Sequence, residues 1–99
     1  MPSGAKVLSA SMSERELQEH VVSMAKALGW LVNHAWDSRR SESGLPDLVC
    51  ARRGTVLLAE LKTERGTLSP AQWEWQHAAK AELWRPADLL DGTIERALR

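Results

Sequence analysis

The chain contains a single cysteine, no phenylalanine, no tyrosine and no surplus of either charge. Nor does it contain an apolar run near the ~20 residues that cross a bilayer, and its start lacks the apolar core of a secretory signal. The lone Cys50 excludes an intrachain disulfide; its place in an apolar stretch predicts a buried, reduced core thiol, as suits a cytoplasmic protein. Thirteen Lys and Arg balance thirteen Asp and Glu, so overall charge favours no polyanionic partner. His20, His34 and His77 lack the spacing of a zinc site. The chain has no Gly-rich phosphate loop, no Cys-x-x-Cys and no Gly-x-Ser-x-Gly, so nucleotide hydrolysis and serine-hydrolase chemistry have no support. At 99 residues it has length for one modest core.

What the chain does have is Gly44-Leu45-Pro46-Asp47-Leu48-Val49-Cys50-Ala51-Arg52-Arg53-Gly54-Thr55-Val56-Leu57-Leu58-Ala59-Glu60-Leu61-Lys62. Two apolar runs around Arg53-Gly54 predict a β-hairpin. Side chains alternate along a strand, so Glu60 and Lys62 share a face, and the antiparallel return brings Asp47 beside them. Two carboxylates held together repel unless a cation lies between them, which makes the pair a candidate Mg²⁺ site. A plainer reading has Asp47 capping a turn after Pro46, with Glu60 and Lys62 a solvated pair. Arg39, Arg40, Arg52, Arg53 and Arg65 flank the hairpin, and a bound cation would leave this neighbourhood basic.

The flanking sequence predicts helices and one more strand on each side. Residues 1–10 lack periodicity and read as a loose arm, with a single domain over 11–99. Ser13 with Glu16 reads as a capping box, Ser11 with Glu14 having the same spacing two residues earlier, and Leu17, Val21, Met24, Ala25 and Leu28 recur at helical spacing before Gly29. Glu14 in the first helical turn is favoured by the dipole whatever else it does. Trp30–Trp36 alternates as a strand, and Asp37–Gly44 is a basic, hydroxyl-rich loop that suits phosphate contact, though its composition fits an ordinary solvated loop equally well. Ser69-Pro70 opens a second helix in which Trp75, Ala78 and Ala79 are expected to be buried, with Trp73 nearer the surface. Leu83-Trp84-Arg85 predicts a short strand ended by Pro86. A last helix over Asp91–Leu98 is expected to turn Ile94, Ala97 and Leu98 to the core.

This order of elements, with Asp47 and Glu60-x-Lys62 on the hairpin, resembles the PD-(D/E)xK nuclease superfamily, and within it the virus-type replication-repair nuclease (VRR-NUC) domains. The likeness covers about Ser13 to Leu98. It runs through Glu14-x-x-Leu17-Gln18, Gly29-Trp30 leading to His34, Ser43-Gly44-Leu45-Pro46-Asp47-Leu48, Ala59-Glu60-Leu61-Lys62, Leu68-Ser69-Pro70-Ala71-Gln72-x-x-Trp75 and Trp84-Arg85-Pro86-x-Asp88. One departure is that family members carry a longer helix and a glycine-containing turn before the Trp-Arg-Pro element, whereas eight residues separate Trp75 from Trp84 here.

The resemblance implies an α/β fold with a restriction-endonuclease-like core: an N-terminal helix, a mixed sheet centred on the hairpin, and flanking helices. It implies Asp47, Glu60 and Lys62 as the catalytic core, Glu14 as the acid of the first helix and Gln72 as a polar residue lining the site. Mg²⁺ or Mn²⁺ would be held by Asp47, Glu60, the Leu61 main-chain carbonyl and Glu14. Arg39, Arg40, Ser43, Arg52, Arg53 and Arg65 are candidates for DNA-backbone contact. The implied activity is structure-selective hydrolysis of branched DNA by a homodimer that acts on four-way junctions, in the cytoplasm of a bacterium or phage-infected host. A monomeric flap nuclease, a branched-DNA-binding module that does not cut, and a structural subunit of a phage or replication assembly are the competing readings. No membrane partner is implied.

Overall fold

The computed structural model describes residues 4–34 and 44–99, with residues 5–7 described by backbone alone. The first strong helix, α2 (Glu14–Ala27), begins where the capping box predicts. The Ser13 hydroxyl accepts from the Glu16 N–H at 3.0 Å, and the Glu16 carboxylate accepts from the Ser13 N–H at 3.3 Å. Leu17, Val21 and Ala25 make its buried stripe, each large aliphatic contributing about 1.5–3 kcal/mol by leaving water.

The sheet has the order β1-β2-β3-β4, from β1 (Leu31–His34), β2 (Leu48–Arg52), β3 (Thr55–Leu61) and β4 (Glu82–Trp84). The first three strands are antiparallel and β4 is parallel to β3, so the sheet is mixed. Arg53 and Gly54 both have positive φ, at 51° and 82°, which closes a two-residue turn between Arg52 and Thr55. Parallel pairing requires a crossover, supplied by α3 (Pro70–Ala78). Ser69 accepts from the Gln72 N–H and Pro70 occupies the first helical turn, as the sequence predicts.

The core lies on one face of the sheet. Leu48, Cys50, Ala59 and Leu61 pack with the α2 stripe, Trp30, Trp84, Ile94 and Leu98. Burial pushes the Cys50 thiol pKa up, so the cysteine is an unreactive core group. Arg52 closes the end of this layer. Its guanidinium lies 4.4 Å from the Trp30 ring and donates to the carbonyls of Leu28 and Arg99, while Trp30 donates to Leu98 O at 2.8 Å. The described residues thus form a compact α/β body with a radius of gyration of 13.4 Å. No helix among them is long and apolar enough to cross a membrane.

Four expectations are corrected. A helix, α1 (Gly4–Ser11), occupies the stretch read as a loose arm, and it packs against α4 (Pro86–Leu90). Its order comes from this tertiary contact, which local periodicity does not encode. A short helix that the sequence does not predict, α4, ends before Gly92, whose φ of 84° breaks the chain direction, and α5 then covers Thr93–Leu98, within the expected Asp91–Leu98. Ile94 and Leu98 are buried as expected, but Ala97 is exposed. Finally, α3 buries none of its residues, and Trp75 and Ala78 are exposed. The short connection after Trp75 is made by Lys80 at φ 51°, which turns the chain directly into β4. Trp36 and the loop 37–43 lie outside the described residues apart from the approach to Gly44.

Candidate functional site

The hairpin register determines where the site forms. Leu48 pairs with Ala59, so Asp47 stands opposite Glu60 one step further along the ladder. Asp47 lies just before β2 and accepts a hydrogen bond from the Leu61 N–H through Oδ2 at 2.8 Å. This bond satisfies a β3 donor and holds the carboxylate against the end of the strand.

Gly44 makes the approach possible. Its φ is +83°, and a Cβ there would lie 2.4 Å from the carbonyl carbon and oxygen of Ala71. The chain passes so close to the first turn of α3 that only glycine fits. Leu45 and Pro46 then lead into Asp47. The Gly-Leu-Pro-Asp sequence is thus a close backbone crossing followed by a positioned acid.

Glu60 is 2% exposed. Its Oε1 accepts from Gln72 Nε2 at 3.0 Å and lies 4.0 Å from Lys62 Nζ. Gln72 works at both ends of its amide, because its Oε1 accepts from the Ser69 N–H at 2.9 Å. The cap that begins α3 therefore also aims the amide at Glu60. Glu60 Oε2 is buried and, with the carboxylates ionised, has no hydrogen-bond partner among the described residues.

The energetic consequence is a strongly perturbed acid. Burial first, then the Asp47 charge and a carboxyl hydrogen bond to Asp47, push the Glu60 pKa up to about 8. Lys62 opposes the rise, and Glu14 adds to it. Glu14, at the start of α2, is itself raised by desolvation and by Asp47, with Lys62 acting the other way. Three acids and one ammonium therefore share an electrostatic neighbourhood, although Glu14 is exposed.

The sequence-derived site residues divide into three groups. Asp47, Glu60, Lys62 and Gln72 are brought together at one end of the sheet, and Glu14 is close enough to act on their charges. Arg65 follows β3 at the same end and is exposed. Arg52 and Arg53 do not belong there: five residues of extended chain lie between the turn and Glu60, a span of roughly 20 Å, and the Arg52 guanidinium is engaged with Trp30, Leu28 and Arg99. Arg39, Arg40 and Ser43 lie outside the described residues.

One organising residue escaped the sequence reading of the site. Arg85 donates to the carbonyls of Thr63 and Gly66 at 2.6 and 2.7 Å, pinning the turn that follows Lys62. Glu64 in that turn accepts from the Ala87 N–H. The Trp-Arg-Pro run was visible, but nothing local says which carbonyls its arginine will reach.

The donor set is all oxygen: the Asp47 and Glu60 carboxylates, Glu14 nearby and the backbone around Leu61. Such ligands suit a hard divalent cation, and the unpartnered Glu60 Oε2 offers it an acceptor. Among the described residues, no three His, Cys, Asp or Glu side chains stand together as a ready metal-holding group. No family model, curated protein or solved structure matches the chain.

Proposed function

We propose that the chain is a metal-dependent DNA endonuclease with a PD-(D/E)xK core of the VRR-NUC type. The observation that carries this reading is the convergence of Asp47, Glu60, Lys62 and Gln72, with a Glu60 pKa of about 8. A buried acid raised by a second carboxylate is an unfavourable structural element and a favourable cation site.

Asp47, Glu60, the Leu61 carbonyl and Glu14 would hold Mg²⁺ or Mn²⁺. When bound, the ion supplies Lewis-acid stabilisation of charge on the phosphoryl oxygens and a more acidic water. The Leu61 N–H keeps Asp47 facing the site, and Gln72 does the same for Glu60. Lys62 is half-buried beside Glu60, where its ammonium either orients the attacking water or neutralises charge developing on the phosphate. Arg65 provides a backbone-phosphate contact at the same end, which gives affinity without base choice.

The substrate we assign is branched DNA, cut by a homodimer acting on four-way junctions. Leu31 and Val56, on the sheet face away from the core, are 77% and 65% exposed and give a second copy apolar surface to cover. Two symmetric sites suit paired cuts. Plasmid nicking in Mg²⁺ against EDTA tests the activity. Light scattering with a panel of junctions and flaps tests the assembly and substrate: a monomer that prefers 5′ flaps removes the junction assignment and keeps the nuclease, whereas DNA binding without any nicking leaves a non-catalytic binding module.

A further inference from the structure

Helix α3 carries two of the chain's five tryptophans and buries neither. Trp73 is 54% exposed, yet it is not loosely held. Its indole stacks on the His77 imidazole one turn later, with ring centroids 3.8 Å apart and planes inclined by 28°. His77 Nδ1 donates to the Trp73 carbonyl oxygen at 2.9 Å, fixing the imidazole beneath the indole. A rigid aromatic with one face covered and the other open has already lost the freedom that binding would otherwise cost.

Its place in the chain links it to the site. Trp73 follows Gln72, whose amide touches Glu60, and stands about 100° round the first turns of α3 from that amide. Helix stability does not explain the residue, since a stacked pair at i and i+4 adds little to a helix. The described cations close to the site are also few. Lys62 and Arg65 are there, while Arg52 is engaged elsewhere and Arg53 lies at the far end of the hairpin.

We propose that Trp73, braced by His77, is a stacking platform for an unpaired nucleobase next to the phosphodiester engaged by Asp47, Glu60 and Lys62. The inference rests on the nuclease reading and deepens it. Every base has a π-face, so stacking tolerates any sequence, but a base inside a duplex is already stacked on its neighbours. The platform selects DNA with an unpaired base at the cut and gives a local reason for structure-selective cleavage.

The test is a scan in which one abasic residue is moved position by position through a forked oligonucleotide, with KM and kcat measured in Mg²⁺. For the wild type, KM is expected to rise about 10-fold at a single position, with kcat little changed. Trp73→Ala should show the higher KM on intact DNA and no further rise at that position, and Trp73→Phe should restore the positional effect. Melting by circular dichroism should leave both variants folded, because α3 buries no side chain. A Trp73→Ala protein that keeps the positional rise overturns the platform, as does one that loses a wild-type dimer, which would make Trp73 an interface residue. Failure of the wild type to cut any DNA is a different result, since it removes the nuclease reading itself.

Discussion

Glu60 provides a measurement that needs no DNA. Its folded-state pKa is pushed up to about 8 from an ordinary 4.5, first by burial and then by Asp47. Below pH 4.5 the acid is protonated in both folded and unfolded chains. Between 4.5 and 8 the unfolded chain releases the proton and the folded protein retains it, so folding stability falls as pH rises through this window. At 1.36 kcal/mol per unit, the span from pH 5 to pH 8 is worth at most about 4 kcal/mol, and water entry with relaxation around the anion reduces it to roughly 2–4 kcal/mol. For a domain of this size that is a fall in Tm of about 10–20 °C.

The assay is thermal melting in chelating buffer from pH 5 to 8, for the wild type and Glu60→Gln. Other titrating groups act in both proteins, so the difference between the two curves isolates Glu60 and its coupling to Asp47. The wild type should lose stability relative to Glu60→Gln as pH rises. Excess Mg²⁺ should restore it at pH 8, by about 2.7 kcal/mol at a concentration 100-fold above the Kd, and should act more weakly at pH 5, where a proton competes. Parallel curves for the two proteins would refute the assignment of Glu60 as a buried, perturbed acid. An equal Mg²⁺ effect at both pH values would refute its role as a ligand.

Asp47→Asn should abolish Mg²⁺-dependent plasmid nicking while the far-UV circular dichroism stays that of the wild type; near-normal nicking would remove Asp47 from the chemistry. Lys62→Ala is expected to slow cleavage by ~10²-fold or more, with Mg²⁺ binding still measurable by calorimetry, and a normal rate would reduce the Glu-x-Lys pattern to a surface pair. Glu14→Gln should lower the rate and shift the Mg²⁺ concentration at half-maximal activity. If Glu14 serves only the helix dipole, the change appears instead as a stability loss of about 0.3–1 kcal/mol with unchanged kinetics. Gly44→Ala should destabilise the fold by at least ~1–3 kcal/mol in urea unfolding, because the added methyl meets the Ala71 backbone at a positive φ; a neutral result would contradict the crossing described for α3.

The parts of this molecule legible from sequence are those set by neighbours along the chain. Arg53-Gly54 specifies a turn whose register follows from counting, and that register alone places Asp47 opposite Glu60. The two capping boxes, at Ser13 and Ser69, are equally local. What could not be read depends on partners far away in sequence. Helix α1 is held by α4, more than seventy residues later, and Arg52 closes on carbonyls from Leu28 and the terminal Arg99. The α3 stripe departs from its sequence spacing for a related reason. Trp75, Ala78 and Ala79 have the spacing of a buried face, but spacing does not tell how much sheet lies beneath a helix of nine residues.

The position of Glu60 bears on why the site exists. It follows Ala59 and precedes Leu61, both fully buried on the opposite face of β3, and is itself buried with one oxygen unpartnered. Removing a buried carboxylate in favour of a well-packed apolar residue is commonly neutral or stabilising. Asp47, by contrast, satisfies the Leu61 N–H, and Gln72 caps α3, so each does structural work besides facing Glu60. Glu60 accepts from Gln72 and lies beside Lys62 through one oxygen, while its other oxygen is buried without a partner among the described residues. Under the proposed nuclease reading, an amide and an ammonium at one Glu60 oxygen leave the buried second oxygen as the acceptor a divalent cation would take.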